Sequence, residues 1–365
     1  MDRTVLRTED GLSTDSGNGL NGLEGRMDGG SEHRGKACLA PAGLSSVLQS
    51  PEPDLSVELC GVRLPNPTVL ASGILGLSAE VFERVARAGA GAITTKSCSL
   101  QPRPGWHNPV IVDWGYGLIN AVGLANPGVE VMVEEVRKAK ERLRPLGVPI
   151  IASIFANSIY DFGTVARYIS EARPDLIEVN ISCPNLDARF EEMFAASPYV
   201  SAQVTRRVKD NTDIPVLVKL SPNVENIAKV AEEVAKAGAD GISAINSLGP
   251  GLVLDIETAQ PVLGNGVGGV SGPAIRPIAV RCVYDICRAV DLPVLAMGGV
   301  TTGRDVIEMI LVGATAVAIG SAINYRGIGV FAEACDEVAA HMRRHGYRSL
   351  ADFRGLALGQ RTRSG

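Results

Sequence analysis

Eight short β-branched runs recur along the chain, and nearly all end in Gly, Ser, Asn or Lys. They are TVLAS (68–72), AITTKS (92–97), PIIASI (149–154), LIEVNIS (176–182), PVLVKLS (215–221), GISAINS (241–247), PVLAMGG (293–299) and AVAIGS (316–321). Between them lie stretches with apolar residues at i, i+3 and i+4, such as EVFERVARAGA (80–90), NVENIAKVAEEVAKAG (223–238) and RDVIEMILVGA (304–314). Several close on Gly-Ala, which suits a helix C-terminus ahead of the next strand. Eight β–α units predict an α/β fold of the TIM (β/α)8 barrel class, with strands apolar throughout because both faces are buried. A doubly wound open sheet also alternates strand and helix, but there only the strand ends near the switch point matter. Polar ends on nearly every strand favour the barrel, where all the ends meet at one mouth.

The segment SVELCGVRLPNP (56–67) predicts an N-terminal hairpin that plugs the underside of the barrel. Two connections, 98–125 and 248–272, are too long for simple turns and predict lids or site walls. Residues 1–50 contain no Phe, Tyr or Trp and are rich in Gly, Ser and charge, so a disordered tail is expected there. They have no apolar core followed by a cleavage site, and so do not read as a signal peptide. The barrel is then expected over 51–350 and a C-terminal tail over 351–365.

Composition narrows the function. Lys plus Arg is 35 and Asp plus Glu is 40, giving a net charge of −5 with no basic tract, so nothing favours nucleic acid. No apolar run reaches the roughly 18 residues that a membrane span needs. The seven cysteines (38, 60, 98, 183, 282, 287 and 335) are scattered and form no CxxC pair. They read as the reduced thiols of a cytoplasmic protein, with no iron–sulfur cluster or structural zinc in this chain. The four histidines (33, 107, 341 and 345) have no metal-ligand spacing.

The expected mouth consists of Ser72 and Gly73, Lys96 and Ser97, Ser153, then Asn180, Cys183 and Asn185, then Lys219, Asn246 and Ser247, Gly298 and Gly299, and Gly320 and Ser321. No acid or histidine stands at these strand ends, and His107 is the one loop histidine worth following. Cys183 therefore suits a proton acceptor, since cations lower a thiol pKa. It suits a nucleophile less well, because no His or Asp stands ready to activate it. A lone cysteine is more often an inert core residue; one set between two asparagines and followed by Pro at a strand end points to function. Asn120, Asn180, Asn185 and Asn246 offer donors and acceptors for a planar polar ligand. Lys96 and Lys219 follow apolar runs and need an anion; a bound anion is favoured over a structural ion pair, because no nearby strand end carries an acid. The glycines of MGG (297–299) and IGS (319–321) precede helices, a setting that binds phosphate. GNGVGG (264–269) matches a dinucleotide fingerprint but follows no clear strand and is discounted. Phosphate at the last two strands with lysines in the walls suits FMN.

From about residue 56 to 345 the chain resembles class 1 dihydroorotate dehydrogenases, most closely the type 1B catalytic subunit. The segments that carry the resemblance are ASG (71–73), TKS (95–97), INAVGLANPG (119–128), NISCPN (180–185), VKLSPNV (218–224), GGVSGPAIRPIA (268–279), MGGV (297–300) and AIGSA (318–322). The resemblance implies Cys183 as catalytic base, taking the C5 proton of dihydroorotate while hydride passes from C6 to N5 of FMN. It implies FMN contacts at Ser72, Gly73, Lys96, Ser97, Asn180, Lys219, Ile245, Gly272, Gly298, Gly299, Gly320 and Ser321. Ser153 stands at a flavin-side position that the family usually fills with Asn. Substrate contacts are implied at Lys96, Asn120, Ala121, Val122, Gly123, Leu124, Asn180, Asn185, Asn246 and Ser247. The membrane-bound class 2 enzymes carry Ser in place of Cys183 and an N-terminal membrane helix, and this sequence has neither feature. The loop LDARFEEMFAASP (186–198) is glycine-rich in relatives, and the long N-terminal tail is not a family feature.

The resemblance further implies a homodimer, and electron transfer to NAD through a partner subunit carrying FAD and a 2Fe–2S cluster, giving a heterotetramer. The alternatives are a type 1A enzyme using fumarate, a subunit like dihydropyrimidine dehydrogenase (whose motif tends to read SCPH) and an inactive barrel serving assembly. A segment without aromatic residues adds little to a core. Deleting residues 1–50 is therefore expected to leave the melting temperature and cofactor content unchanged, as thermal melts and absorbance would report.

Overall fold

The computed structural model of the protein describes residues 52–181 and 197–359. The expected tail over 1–50 lies outside these residues. Eight parallel strands close into a barrel: Thr68–Leu70, Ala92–Thr94, Ile150–Ile154, Leu176–Asn180, Val216–Leu220, Gly241–Ala244, Val294–Met297 and Ala316–Ile319. They are named here the first to eighth barrel strands. The eighth pairs with the first through Val317–Thr68, Ala318–Val69 and Ile319–Leu70. Every residue of all eight strands is buried, as expected for strands packed on both faces. The eight runs read from the sequence are the eight barrel strands.

The intervening helices carry the caps that their sequences provide. Ser78, Ser158, Ser197 and Asn226 accept the first-turn N–H groups of helices Ala79–Arg87, Ile159–Ser170, Pro198–Lys209 and Ile227–Lys236. Thr302 and Asp305 form a reciprocal capping box on helix Gly303–Leu311. The last helix, Val330–His345, packs against its neighbour Gly303–Leu311 and against the first barrel strand. No helix among the described residues is long and apolar enough to cross a membrane.

The expected hairpin forms between Val57–Leu59 and Val62–Leu64. Leu59 and Leu64 are fully buried in the barrel core. At its turn, Cys60 Sγ donates to the Asp240 carbonyl at 3.3 Å, just before the sixth strand begins. That contact puts the hairpin at the N-terminal end of the barrel, opposite the mouth.

The two long connections are not irregular. Ile111–Asp113, Leu118–Asn120, Val267–Ser271 and Leu248–Leu252 pair side by side in an antiparallel sheet of four strands. Both connections leave C-terminal strand ends, so this sheet stands over the mouth. LGPGL and VGGVS lack strand alternation and become strands only because the partner segment supplies hydrogen bonds. GNGVGG falls in the turn at Leu263–Gly266 and the start of the strand that follows, not ahead of a helix.

The segment expected to be a C-terminal tail from 351 is packed on the barrel as far as it is described. Phe353 is fully buried, with its ring 5.2 Å from that of Tyr347, and the Gly355 N–H donates to the Ile310 carbonyl at 2.9 Å. Phe353→Ala is expected to cost about 3–5 kcal/mol in a denaturant titration. Truncating the exposed Leu356 three residues on should stay within about 0.5 kcal/mol.

Candidate active site

The C-terminal strand ends and the overlying sheet enclose a cavity of about 1160 Å³, counted out to its open mouth. Ser72, Gly73, Lys96, Ser97, Asn180, Lys219, Ile245, Asn246, Ser247, Gly298, Gly299, Gly320 and Ser321 all line it. The sheet above adds Asn120 and Ser271, and Val122, Gly123, Leu124 and Gly272 complete that side. Ile111, Met297 and Ile275 also face the space and were not anticipated, since nothing in an apolar residue's local sequence marks it as wall rather than core. Ala121 is fully buried and does not line the cavity.

The floor holds a polar network. Glu178, in the middle of the fourth strand, is fully buried. Its Oε1 lies 3.5 Å from Lys219 Nζ and accepts from Ser153 Oγ at 3.0 Å, while its Oε2 accepts from Ser243 Oγ at 3.0 Å. Ser153 in turn shares a 2.8 Å hydrogen bond with Ser97, whose hydroxyl also accepts from Asn180 Nδ2 at 3.1 Å and lies 3.4 Å from Ser72 Oγ. No acid stands at a nearby strand end, yet Lys219 has the structural ion pair that the sequence reading set aside. Glu178 was missed because it lies two residues before the strand end, inside a run that otherwise reads as core. A glutamate in a strand with both faces buried was the signal available. Ser153 lies one layer behind the wall, its hydroxyl committed to Ser97 and Glu178.

The turn after the seventh strand is fixed from below. Asp305 Oδ2 accepts from the Thr301 N–H at 2.8 Å, the Thr301 hydroxyl at 2.9 Å and the Thr302 N–H at 2.9 Å, and Arg276 pairs with Oδ1. Burial alone would raise the Asp305 carboxyl. The Thr301 donors, Arg276 and the Thr302 N–H outweigh it, and the pKa falls below the ordinary aspartate value. Gly299 has φ +74, and a Cβ there would lie 2.6 Å from Arg276 Cβ, so the close approach of turn and helix needs glycine. Among the described residues no hydrogen bond engages the backbone N–H groups of Gly299, Gly320 or Ser321.

The 120–126 segment is held by its neighbour. Arg103 Nε donates to the Gly123 carbonyl at 2.8 Å, and the Trp106 N–H donates to the Val122 carbonyl at 3.2 Å. A Cβ at Gly123 would come within 2.4 Å of the Trp106 ring. Asn126 Nδ2 donates to the Leu124 carbonyl at 2.9 Å and helps hold Leu124 at φ +55, a left-handed conformation costly for a branched side chain. His107 is exposed and does not line the cavity. Cys183 and Asn185 lie outside the described residues. Of the described thiols none lines the cavity, and burial pushes Cys60 and Cys98 up to about 12 and Cys282 and Cys335 up to about 11. No group of three or more His, Cys, Asp or Glu that could hold a metal ion occurs among the described residues.

Residues 54–342 match the family model of dihydroorotate dehydrogenase. The chain belongs to the dihydroorotate dehydrogenase family. It is 44% identical over 303 residues to the dihydroorotate dehydrogenase B (NAD(+)) catalytic subunit of Methanothermobacter thermautotrophicus, covering 83% of this chain and 98% of that protein. Proteins of the same name from Pyrococcus abyssi and Methanocaldococcus jannaschii are 42% and 40% identical, again over 83% of this chain and over 99% and 98% of their own lengths. The matched span runs from the hairpin through most of helix Val330–His345, so this dihydroorotate dehydrogenase family barrel is aligned as a whole.

Because Asp305 titrates lower in the folded chain than unfolded, its contribution is fully present above the unfolded value of about 4 and is lost as pH falls through the folded one. Asp305→Asn should therefore be less stable than wild type at neutral pH. The gap should narrow below about pH 4, as denaturant midpoints across the acid range would record.

Proposed function

We propose that this member of the dihydroorotate dehydrogenase family uses FMN to oxidise (S)-dihydroorotate to orotate, a step of de novo pyrimidine (UMP) biosynthesis. The observation that carries the reading is the convergence of Lys96, Lys219, Asn120, Asn180 and Asn246 on one cavity. The sequence Ser182-Cys183-Pro184-Asn185 follows just after Asn180.

The residues present fit a phosphate-bearing flavin. A Cβ at Gly73 would meet nothing within 4 Å, and one at Gly320 only the Ala71 Cβ at 3.4 Å, so the backbone there is open to a ligand. The N–H groups of Gly299, Gly320 and Ser321 are the donors for the phosphate. Ser72, Gly73, Ser97, Ile245, Gly272 and Gly298 form the remaining cofactor wall, with Ser153 supporting it from behind. FMN, when bound, supplies the two-electron acceptor for the hydride that leaves C6 of the substrate.

The chain's own residues do the rest. Cys183 takes the C5 proton, so that loss of one proton and one hydride leaves the C5–C6 double bond of orotate. A thiol of ordinary pKa about 8.5 is lowered by nearby cations. Asn120, Asn180, Asn185 and Asn246 offer amides to the pyrimidine edge, with Ser247 beside them. The Ala121–Leu124 backbone and Lys96 hold the carboxylate, in a segment already fixed by Arg103, Trp106 and Asn126. Lys219 stabilises negative charge that builds at the cavity floor.

We further infer a cytoplasmic homodimer that delivers electrons to NAD through a separate subunit carrying FAD and a 2Fe–2S cluster, in a heterotetramer. The name shared by the relatives, a catalytic subunit of an NAD(+) enzyme, supports this route. The chain should purify yellow and bleach anaerobically on addition of dihydroorotate. Cys183→Ala should keep its flavin and slow bleaching by roughly 10²–10⁴-fold, the usual contribution of a general base. Bleaching by the variant at the wild-type rate would exclude Cys183 as the base. Reoxidation by NAD only when the partner is added, and not by fumarate, would separate the two electron routes.

A further inference from the structure

Among the described residues, Glu178 is a buried charged group beneath the cavity that the reaction as described does not use. Glu178 makes no contact with the cavity itself. It nevertheless sits behind two groups that do, through Lys219 directly and through Ser153 to Ser97. A buried carboxylate is costly unless paired and hydrogen-bonded. Here both oxygens are engaged, by two serine hydroxyls and an ammonium. Its approach to Lys219, at 3.5 Å, is looser than the 2.6 Å of the partly buried pair Lys209–Asp240. An ammonium has three donors and Glu178 takes one contact, so donors remain for the cavity side while the charge is balanced from below.

We propose that Glu178 is a positioning residue that fixes the Lys219 ammonium at the cavity floor and offsets its charge, so that the site presents a compensated pair and not a bare cation to the bound flavin. The inference rests on the FMN reading above. Four adjacent barrel strands build this layer, each giving one inward side chain: Ser153, Glu178, Lys219 and Ser243. The serines restrain the carboxylate, the carboxylate restrains the lysine, and the negative charge lies on the far side of the lysine from the cavity. A nearby negative charge disfavours adding electrons to the flavin, and a positive one favours it.

The test is the midpoint potential of FMN in the purified holoenzyme. Glu178→Gln preserves shape and most hydrogen bonding but removes the negative charge, and should shift the potential to more positive values. Lys219→Met should shift it to more negative values. Glu178→Gln combined with Lys219→Met should lie near wild type, since both charges of the pair are removed together. The double variant buries no charge, so its comparison with wild type measures whether Glu178 offsets Lys219 even if neither single variant folds. A merely structural glutamate would lower the melting temperature and leave the potential where it was. A double variant that binds flavin with a midpoint well below wild type would overturn this inference alone. A wild-type protein that purifies without flavin and takes up none would overturn the FMN reading along with it.

Discussion

Closure of the eight-stranded parallel ladder is the constraint from which the rest of the structure follows. Pairing the eighth strand with the first leaves the barrel sheet no free edge, and parallel strands all end on the same side. Side chains alternate across each strand, so one set faces the surrounding helices and the other fills the barrel. Residues far apart in the chain, such as Ser72, Asn180 and Gly320, become neighbours around one cavity for this reason. The hairpin covers the opposite end with Leu59 and Leu64, leaving one end open to ligand.

Within the barrel the polar layer is confined to neighbouring strands. Ser153, Glu178, Lys219 and Ser243 bond to one another, so no member is left with a bare charge. Such a set is stable only as a whole, because removing one partner leaves another charged or polar group buried and unpaired. Its member Lys219 lies in the cavity wall, as does Ser97, which is bonded to Ser153. The layer therefore ties the packing of the core to the electrostatics of the site.

Above the barrel, two supports act on the mouth. The sheet joining residues 111–120 to 248–271 pairs the connections after the second and sixth strands and brings Asn120 over the cavity. Asp305 gathers the turn after the seventh strand through three hydrogen bonds and Arg276. In both places backbone at the mouth is held by groups buried or paired behind it, which is how a site built on loops keeps its shape.

Local sequence alone determined the barrel strands, the capped helices and the hairpin, because hydrophobic period, capping residues and strand length are properties of contiguous residues. It also marked the lysines, the amides and the glycine turns, since a polar residue closing an apolar run stands out by itself. Tertiary structure decided what contiguous residues cannot express. Glu178 and Lys219 are 41 positions apart (219 − 178) and meet only through the pairing of the fourth and fifth strands, so the acid that balances the lysine was invisible beside it. LGPGL and VGGVS are strands by virtue of their partners. Phe353 is core although a tail was expected there, because the surface that buries it comes from elsewhere in the chain. Hydrogen-bond pairing and burial are relations between distant segments, and only the folded chain fixes them.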